Sequence, residues 1–136
     1  MAENVIVDAS FLVALLNRRD EHYDWAVTHG ERHGPPWSTC EAALSEAFHL
    51  LGALGRSPLS GLLRRQAVVC TFDLAKDLHP VLTLMQKYAN VPMSLADACL
   101  VRMTETRADP VLLTTDNDFR IYRRHSRQII PSVMPS

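Results

Sequence analysis

The residues of this sequence best suited to chemistry are four acidic side chains that lie far apart along the chain. Asp8 directly follows the apolar run VIV and Asp116 directly follows VLLTT, so each comes after a predicted β-strand. Asp97 and Glu46 lie within predicted helices. Carboxylates brought close together repel each other and take up protons unless a cation neutralises them. Such a group predicts a site for Mg²⁺ or Mn²⁺, which can activate water and stabilise the leaving oxygen of a phosphodiester.

Each of these acids also has an ordinary structural explanation. An aspartate between a strand and a helix is a favoured N-cap, and this applies to Asp8 and to Asp116. Asp97 stands three residues after Ser94, which is the spacing of a capping box. Glu46 lies roughly 130° from the centre of the apolar stripe of its helix, where a lone glutamate is normally solvated. The functional interpretation therefore depends on the four acids as a set.

A second glutamate, Glu41, competes for the role of Glu46. Ser38 and Glu41 have the spacing of a capping box, which predicts a helix that begins near residue 39 or 40. That local role explains Glu41 better than a functional one does. The sequence leaves the choice between Glu41 and Glu46 as the helix acid open.

Strands and helices alternate along the chain, which predicts a three-layer α/β/α sandwich with a central, mostly parallel sheet. The predicted strands are VIV at 5–7, WSTC at 37–40 as a strand or a helix entry, AVVCTF at 67–72, PVLLTT at 110–115 and an edge strand in QIIPSV. The predicted helices are SFLVALLN, a segment before Gly34, a helix to Gly55, a short helix from Ser57-Pro58 through Arg65, 73–88 with Pro80 inside it, 94–106, and a short helix from Asp116 that carries the arginines. Because parallel strands end at one edge of a sheet, Asp8 and Asp116 are expected to converge there. The strand order is not readable from this pattern.

Length and composition limit the class of protein. The 136 residues predict one domain over 1–136, and 47% apolar residues exclude wholesale disorder. The run FLVALL is too short to cross a bilayer and MAENVIVD is no secretory signal, so we expect no membrane association and a cytoplasmic location. Three cysteines without a CxxC pair predict buried small side chains. The net charge of −1 provides no overall positive field that would attract nucleic acid. Four arginines nevertheless cluster in FRIYRRHSR, namely Arg120, Arg123, Arg124 and Arg127. This cluster is either a solvated helix end or a phosphate-binding patch.

Four segments, VIVDAS, ALSEAFHLL, SLADACLV and LLTTDNDF, occur in this order between about residue 4 and about residue 125. Together they resemble the PIN-domain ribonucleases, especially the VapC-type toxins of bacterial toxin–antitoxin pairs. The resemblance implies a three-layer α/β/α domain, a homodimer, and endonuclease activity on RNA that depends on Mg²⁺ or Mn²⁺. It also implies a small antitoxin as a partner, often with an arginine placed among the acids.

The same resemblance assigns roles to individual residues. It implies that the catalytic acids and metal ligands are Asp8, Glu46, Asp97 and Asp116, with Asp118 as a further ligand. It implies that Ser10 and Thr115 flank the site and contact the substrate. The arginines expected to grip the RNA backbone are Arg120, Arg123 and Arg124.

Two other functions remain as alternatives. Asp116-Asn117-Asp118 after an apolar strand is similar to the DxD nucleophile of haloacid-dehalogenase-like phosphatases. That motif usually opens a chain, and the two lysines, Lys76 and Lys87, both precede it here. The second alternative is a catalytically silent RNA-binding module with the PIN fold.

Overall fold

The computed structural model describes residues 4–136, and within this range five parallel strands form the central sheet. These strands are β1 (Asn4–Val7), β2 (Trp37–Thr39), β3 (Val68–Cys70), β4 (Pro110–Leu113) and β7 (Ser132–Val133), in the order β3-β2-β1-β4-β7. A separate antiparallel pair consists of β5 (Arg123–Arg124) and β6 (Gln128–Ile129). Strands β2 and β3 continue to one side of β1, whereas β4 and β7 lie on the other, so the strand order reverses between β1 and β4.

Helices cover both faces of this sheet. They are α1 (Ala9–Leu16), α2 (Tyr23–Arg32), α3 (Glu41–Arg64), α4 (Leu78–Lys87) and α5 (Leu95–Glu105), followed by a 3₁₀ turn at Asn117–Arg120. Successive strand residues point to opposite faces. Ile6 and Leu112 therefore pack with α4 and α5, whereas Val5, Val7 and Leu113 pack with α1, α2 and α3. This arrangement confirms the predicted three-layer α/β/α sandwich.

The start of α3 differs from its prediction. The helix begins at Glu41, after Cys40, and Cys40 makes no side-chain hydrogen bond to the helix end. Ser38 lies inside β2, where its hydroxyl accepts a hydrogen bond from the guanidinium of Arg107 (3.1 Å). The predicted capping box of Ser38 and Glu41 is therefore wrong, because pairing of β2 between β1 and β3 already fixes the backbone of Ser38.

The middle of α3 breaks at Gly52 rather than at Gly55. Gly52 has φ 65° and ψ −157°, a conformation that glycine adopts without a Cβ clash. Gly55 is buried within the helix that follows. The short helix predicted from Ser57-Pro58 through Arg65 is thus the second part of α3, which ends at Arg64.

Helix α4 is shorter than predicted and is not divided. Residues 73–77 form a turn, so the helix begins at Leu78. Pro80 consequently lies in the first helical turn, where its missing N–H would have had no partner within the helix.

The arginine segment does not form the predicted helix. Of its members, only Arg120 lies in the 3₁₀ turn, whereas Arg123 and Arg124 form β5. The edge strand predicted in QIIPSV is confirmed at Ser132–Val133, which pairs with β4, while Gln128–Ile129 pairs with β5 instead. No helix within residues 4–136 is both long and apolar enough to span a membrane.

Candidate active site at the carboxyl edge of the sheet

The candidate site lies at the carboxyl ends of β1 and β4, next to the point where the strand order reverses. The register pairs Val7 with Leu113, so the residues that follow, Asp8 and Thr114, are neighbours. The N–H of Asp8 donates to the carbonyl of Leu113 at 3.2 Å. Open parallel sheets form their ligand sites at this position, because the connections leave the two strands in opposite directions and open a crevice between them.

Asp8 is held by hydroxyl groups and does not cap a helix with its side chain. The side chain has 5% exposure, and its Oδ2 accepts hydrogen bonds from Thr114 Oγ1 (2.7 Å) and Ser10 Oγ (3.1 Å). Although Asp8 precedes α1, it makes no side-chain hydrogen bond to the helix end, so the N-cap explanation is wrong. Burial raises the pKa of Asp8 to about 6, and the charges of Asp97 and Glu46 also act to raise it.

Asp97 caps its own helix and also lies near the other acidic side chains. The N–H of Ser94 donates to Asp97 Oδ2 (3.3 Å) and the N–H of Asp97 donates to Ser94 Oγ (3.0 Å), which confirms the predicted capping box. The hydroxyl of Tyr122 donates to the same Oδ2 at 3.1 Å. Burial raises the pKa of Asp97, and the charge of Asp116 adds to the rise. Asp97 therefore caps α5 and also interacts electrostatically with the other acids.

Glu46, and not Glu41, lies in the electric field of the other acids. Burial raises the pKa of Glu46, and the charges of Asp97 and Asp116 raise it further. The charge of Glu41 instead acts, after burial, to raise the pKa of the Cys70 thiol. This observation favours Glu46 as the helix acid.

Asp116 combines the same two properties as Asp97. Its Oδ1 accepts a hydrogen bond from the N–H of Asp118 (2.9 Å), which confirms that it caps the 3₁₀ turn. Its own N–H donates to Thr114 Oγ1 at 3.0 Å. Burial raises the pKa of the Tyr122 hydroxyl, and the charges of Asp97, Asp118 and Asp116 raise it further. We define the acidic group as the four acids linked by these charge effects, Asp8, Glu46, Asp97 and Asp116, and Asp118 adjoins this group.

Two residues of the site, Thr114 and Tyr122, were missed from the sequence. Thr115 was predicted as the flanking hydroxyl, but it is the backbone N–H of Thr115 that reaches Ser10 Oγ (3.0 Å). The hydroxyl that contacts Asp8 belongs to Thr114, and the β1–β4 register is the signal that identifies it. Tyr122 has no such signal, because it lies within an arginine-rich segment far from Asp97 in the chain.

The three arginines predicted to bind RNA lie in different surroundings. The Arg123 guanidinium donates to three successive backbone carbonyls just before it, at 2.7 to 3.1 Å. The Arg124 guanidinium donates to backbone carbonyls at the end of α5 and beyond it, including that of Arg107 (3.4 Å). Arg120 is exposed, with its Nε 3.3 Å from the sulfur of Met134. Arg123 and Arg124 therefore stabilise local backbone, and Arg120 is the best placed to meet a ligand.

The donors of the acidic group suit a hard divalent cation, since all of them are carboxylate oxygens. The hydrogen bonds described above use Oδ2 of Asp8, Oδ2 of Asp97 and Oδ1 of Asp116, so each carboxylate is oriented through one oxygen. The other oxygen of each can serve as a ligand. Among residues 4–136, no three His, Cys, Asp or Glu side chains already lie at the spacing of a bound ion. The fit to a metal thus depends on donor chemistry and mutual charge.

Comparison with known proteins agrees with this geometry. A family model described as the PIN domain matches residues 5–124. Among solved structures, the crystal structure of Mycobacterium tuberculosis VapC20, described as a sarcin–ricin loop cleaving toxin, matches with a TM-score of 0.70. The match has 20% sequence identity and covers 84% of this chain and 91% of that chain, which shows a shared fold. A search of curated proteins found no match.

Proposed function

This chain belongs to the PIN-domain family, and on that premise we propose that it is a ribonuclease that hydrolyses phosphodiester bonds with Mg²⁺ or Mn²⁺. The observation that carries the proposal is the buried carboxylate of Asp8, with a pKa of about 6, in the field of other acids at the reversal of the strand order. The description of VapC20 as a toxin that cleaves the sarcin–ricin loop supports RNA as the substrate. We propose that the chain acts as the toxin of a toxin–antitoxin pair.

The acidic group supplies the ligands in this proposal. Asp8, Glu46, Asp97 and Asp116 would hold the cation, with Asp118 as a further ligand beside them. When bound, Mg²⁺ or Mn²⁺ supplies a Lewis acid that makes water a better nucleophile and neutralises charge on the leaving oxygen. The cation also allows an acidic site to accept an anionic RNA backbone.

The surrounding residues orient these acids before the substrate arrives. Ser10 and Thr114 fix Asp8, and Tyr122 fixes Asp97, so little reorganisation is needed on binding. Glu46 has a raised pKa, which makes its carboxylate a better proton acceptor than an ordinary glutamate.

The partners follow from the same charges. A guanidinium neutralises closely spaced carboxylates as a cation does, so an antitoxin arginine could occupy the acidic group. Arg120 is our candidate for contact with the RNA backbone, together with the hydroxyl residues Ser10 and Thr115.

A homodimer, and one domain over residues 1–136, remain predictions. Membership of the PIN family favours the nuclease over the phosphatase.

Digestion of RNA with a panel of divalent ions tests the proposal. Wild type should cleave with Mg²⁺ or Mn²⁺, leave 5′-phosphates, and stop when a chelator is added. Asp97→Asn should lose about 100-fold or more in rate, while the exposed Asp24→Asn serves as the matched control. Equal cleavage by wild type and Asp97→Asn, or full activity in chelator, would contradict the mechanism. A trapped phospho-aspartyl protein would revive the phosphatase, and metal binding without turnover on any RNA would indicate the silent module.

A further inference from the structure

A cavity of about 310 Å³ opens beside the acidic group at the same edge of the sheet. Its walls come from the segments that follow β2 and β3, with Cys40, Glu41 and Phe72, and from the first turns of α5, with Leu95 and Cys99. Cys40 follows β2 as Asp8 follows the neighbouring parallel strand β1, which places the cavity and the acidic group side by side. The volume falls at the lower end of the range of about 300–1,000 Å³ that is typical of small-ligand pockets. An RNA chain lying across the acids could therefore place one nucleotide here.

The lining of this cavity has the chemistry of a base-recognition pocket. Its walls are mostly apolar, one half-buried aromatic ring is present in Phe72, and one exposed carboxylate is present in Glu41. Single-stranded RNA is recognised by stacking of unpaired bases on aromatic side chains and by hydrogen bonds to their Watson–Crick edges. A phosphate would be repelled by Glu41, whereas a flat ring with N–H groups would be attracted.

The carboxylate of Glu41 distinguishes among the four bases. Its two oxygens accept hydrogen bonds and donate none. Guanine presents two N–H donors side by side, at N1 and N2. Adenine and cytosine present one amino group beside an acceptor, and uracil presents one imino donor between two acceptors. Only guanine therefore pairs both of its donors with the two carboxylate oxygens.

We propose that this cavity is a recognition pocket for a guanine of the RNA substrate, in which Phe72 stacks on the base and Glu41 accepts its two N–H donors. The inference rests on the proposed function, because the guanine belongs to the RNA that the acidic group cleaves. The side chains of Cys40 and Cys99 form part of the apolar wall.

Binding of labelled pentanucleotides with cleavage-resistant phosphorothioate linkages in Mg²⁺, measured by fluorescence anisotropy, tests the pocket with the acids neutralised and cleavage suppressed. The oligonucleotides carry guanine, adenine, cytosine or uracil at the centre of an otherwise uridine sequence, so the backbone charge is constant. Wild type should bind the guanine oligonucleotide about tenfold more tightly than the others. Glu41→Gln should reduce this preference about tenfold, whereas the exposed Glu31→Gln should retain it.

Substitutions of Phe72 separate stacking from folding. Phe72→Leu should weaken binding of the guanine oligonucleotide about tenfold, because it keeps apolar volume and loses the ring face. Phe72→Tyr should retain binding, and thermal melting of both variants measures any loss of stability.

The outcomes separate this proposal from the proposed function. Equal affinity for all four oligonucleotides, or a guanine preference that survives both Glu41→Gln and Phe72→Leu, overturns the pocket. Free indole serves as a probe for an aromatic side chain of a protein partner. Binding of indole without any preference among the bases would indicate a docking site for such a side chain, which also overturns the proposal. Cleavage of unmodified RNA is measured separately. A guanine preference without cleavage would contradict only the nuclease, and cleavage without a base preference would contradict only the pocket.

Discussion

Replacement of Asp8 by asparagine should stabilise the fold near pH 8 and should lose this advantage near pH 4. Burial raises the pKa of Asp8 from 3.8 to about 6. The folded state therefore holds its proton more tightly than the unfolded chain does, and the unfolding free energy of wild type falls as pH rises through this window. At about 1.4 kcal/mol for each unit of pKa, this shift lowers the unfolding free energy of wild type by about 3 kcal/mol once the pH is above 6.

The net effect should be smaller than this figure, because asparagine makes a different set of hydrogen bonds. Thr114 and Ser10 both donate to Oδ2, so an amide oxygen in that position can still accept both bonds, but the NH₂ group that replaces the other oxygen is a buried donor, and a buried donor left unpaired costs about 1 kcal/mol or more. We therefore expect Asp8→Asn to gain about 1–2 kcal/mol at pH 8. Urea denaturation in chelator, between pH 4 and pH 8, measures the difference from wild type. The exposed Asp24→Asn should stay within about 0.5 kcal/mol at every pH.

A loss of stability in Asp8→Asn of equal size at pH 4 and pH 8 would refute this reasoning. It would mean that hydrogen bonding from Ser10 and Thr114, and not burial of charge, dominates at Asp8. Added Mg²⁺ or Mn²⁺ provides an independent check, because the cation should stabilise wild type and have little effect on the variant.

Three further substitutions test the residues around the acids. Thr114→Val should lower the unfolding free energy by about 1–3 kcal/mol in urea denaturation, because it removes the 2.7 Å bond to Asp8, and Thr114→Ser should restore most of it. Tyr122→Phe removes the hydroxyl that orients Asp97, so RNA cleavage should fall about tenfold while urea denaturation shows a change within about 1 kcal/mol. Arg124→Ala should cost about 1–2 kcal/mol in a thermal or urea melt with little change in RNA affinity, because this guanidinium holds backbone carbonyls; a large loss of RNA affinity at unchanged stability would show the opposite.

The layered fold was predictable because its signal is repeated along the whole chain. Apolar runs alternate with amphipathic helices, and this pattern permits few architectures. Local spacing was less reliable. Ser38 and Glu41 have the spacing of a capping box, but Ser38 is part of a strand that pairs on both sides. The sequence does not distinguish Gly52 from Gly55, and only the tertiary path of α3 decides which of them adopts the positive φ.

The hydroxyl residues show why a site is harder to predict than a fold. Thr114 and Thr115 are adjacent and identical, so the sequence does not distinguish them. The pairing of Val7 with Leu113 places Thr114 beside Asp8, and this register depends on tertiary contacts between strands that are far apart in sequence. Tyr122 reaches Asp97 from the segment between the 3₁₀ turn and β5, where the sequence predicts a helix instead.

The acids stand out in the sequence by their positions after strands and within helices, but capping a helix and lying in the candidate site do not exclude each other. Asp97 and Asp116 each use one carboxylate oxygen in a cap, and the cap fixes the direction of the other oxygen. A capping aspartate at the carboxyl edge is therefore already oriented for a ligand. Asp8 differs, because it is buried without a cap and carries the strongly raised pKa. Its burial has a cost to the fold that a local structural role does not explain, and relief of that cost by a cation would give the proposed metal site its affinity.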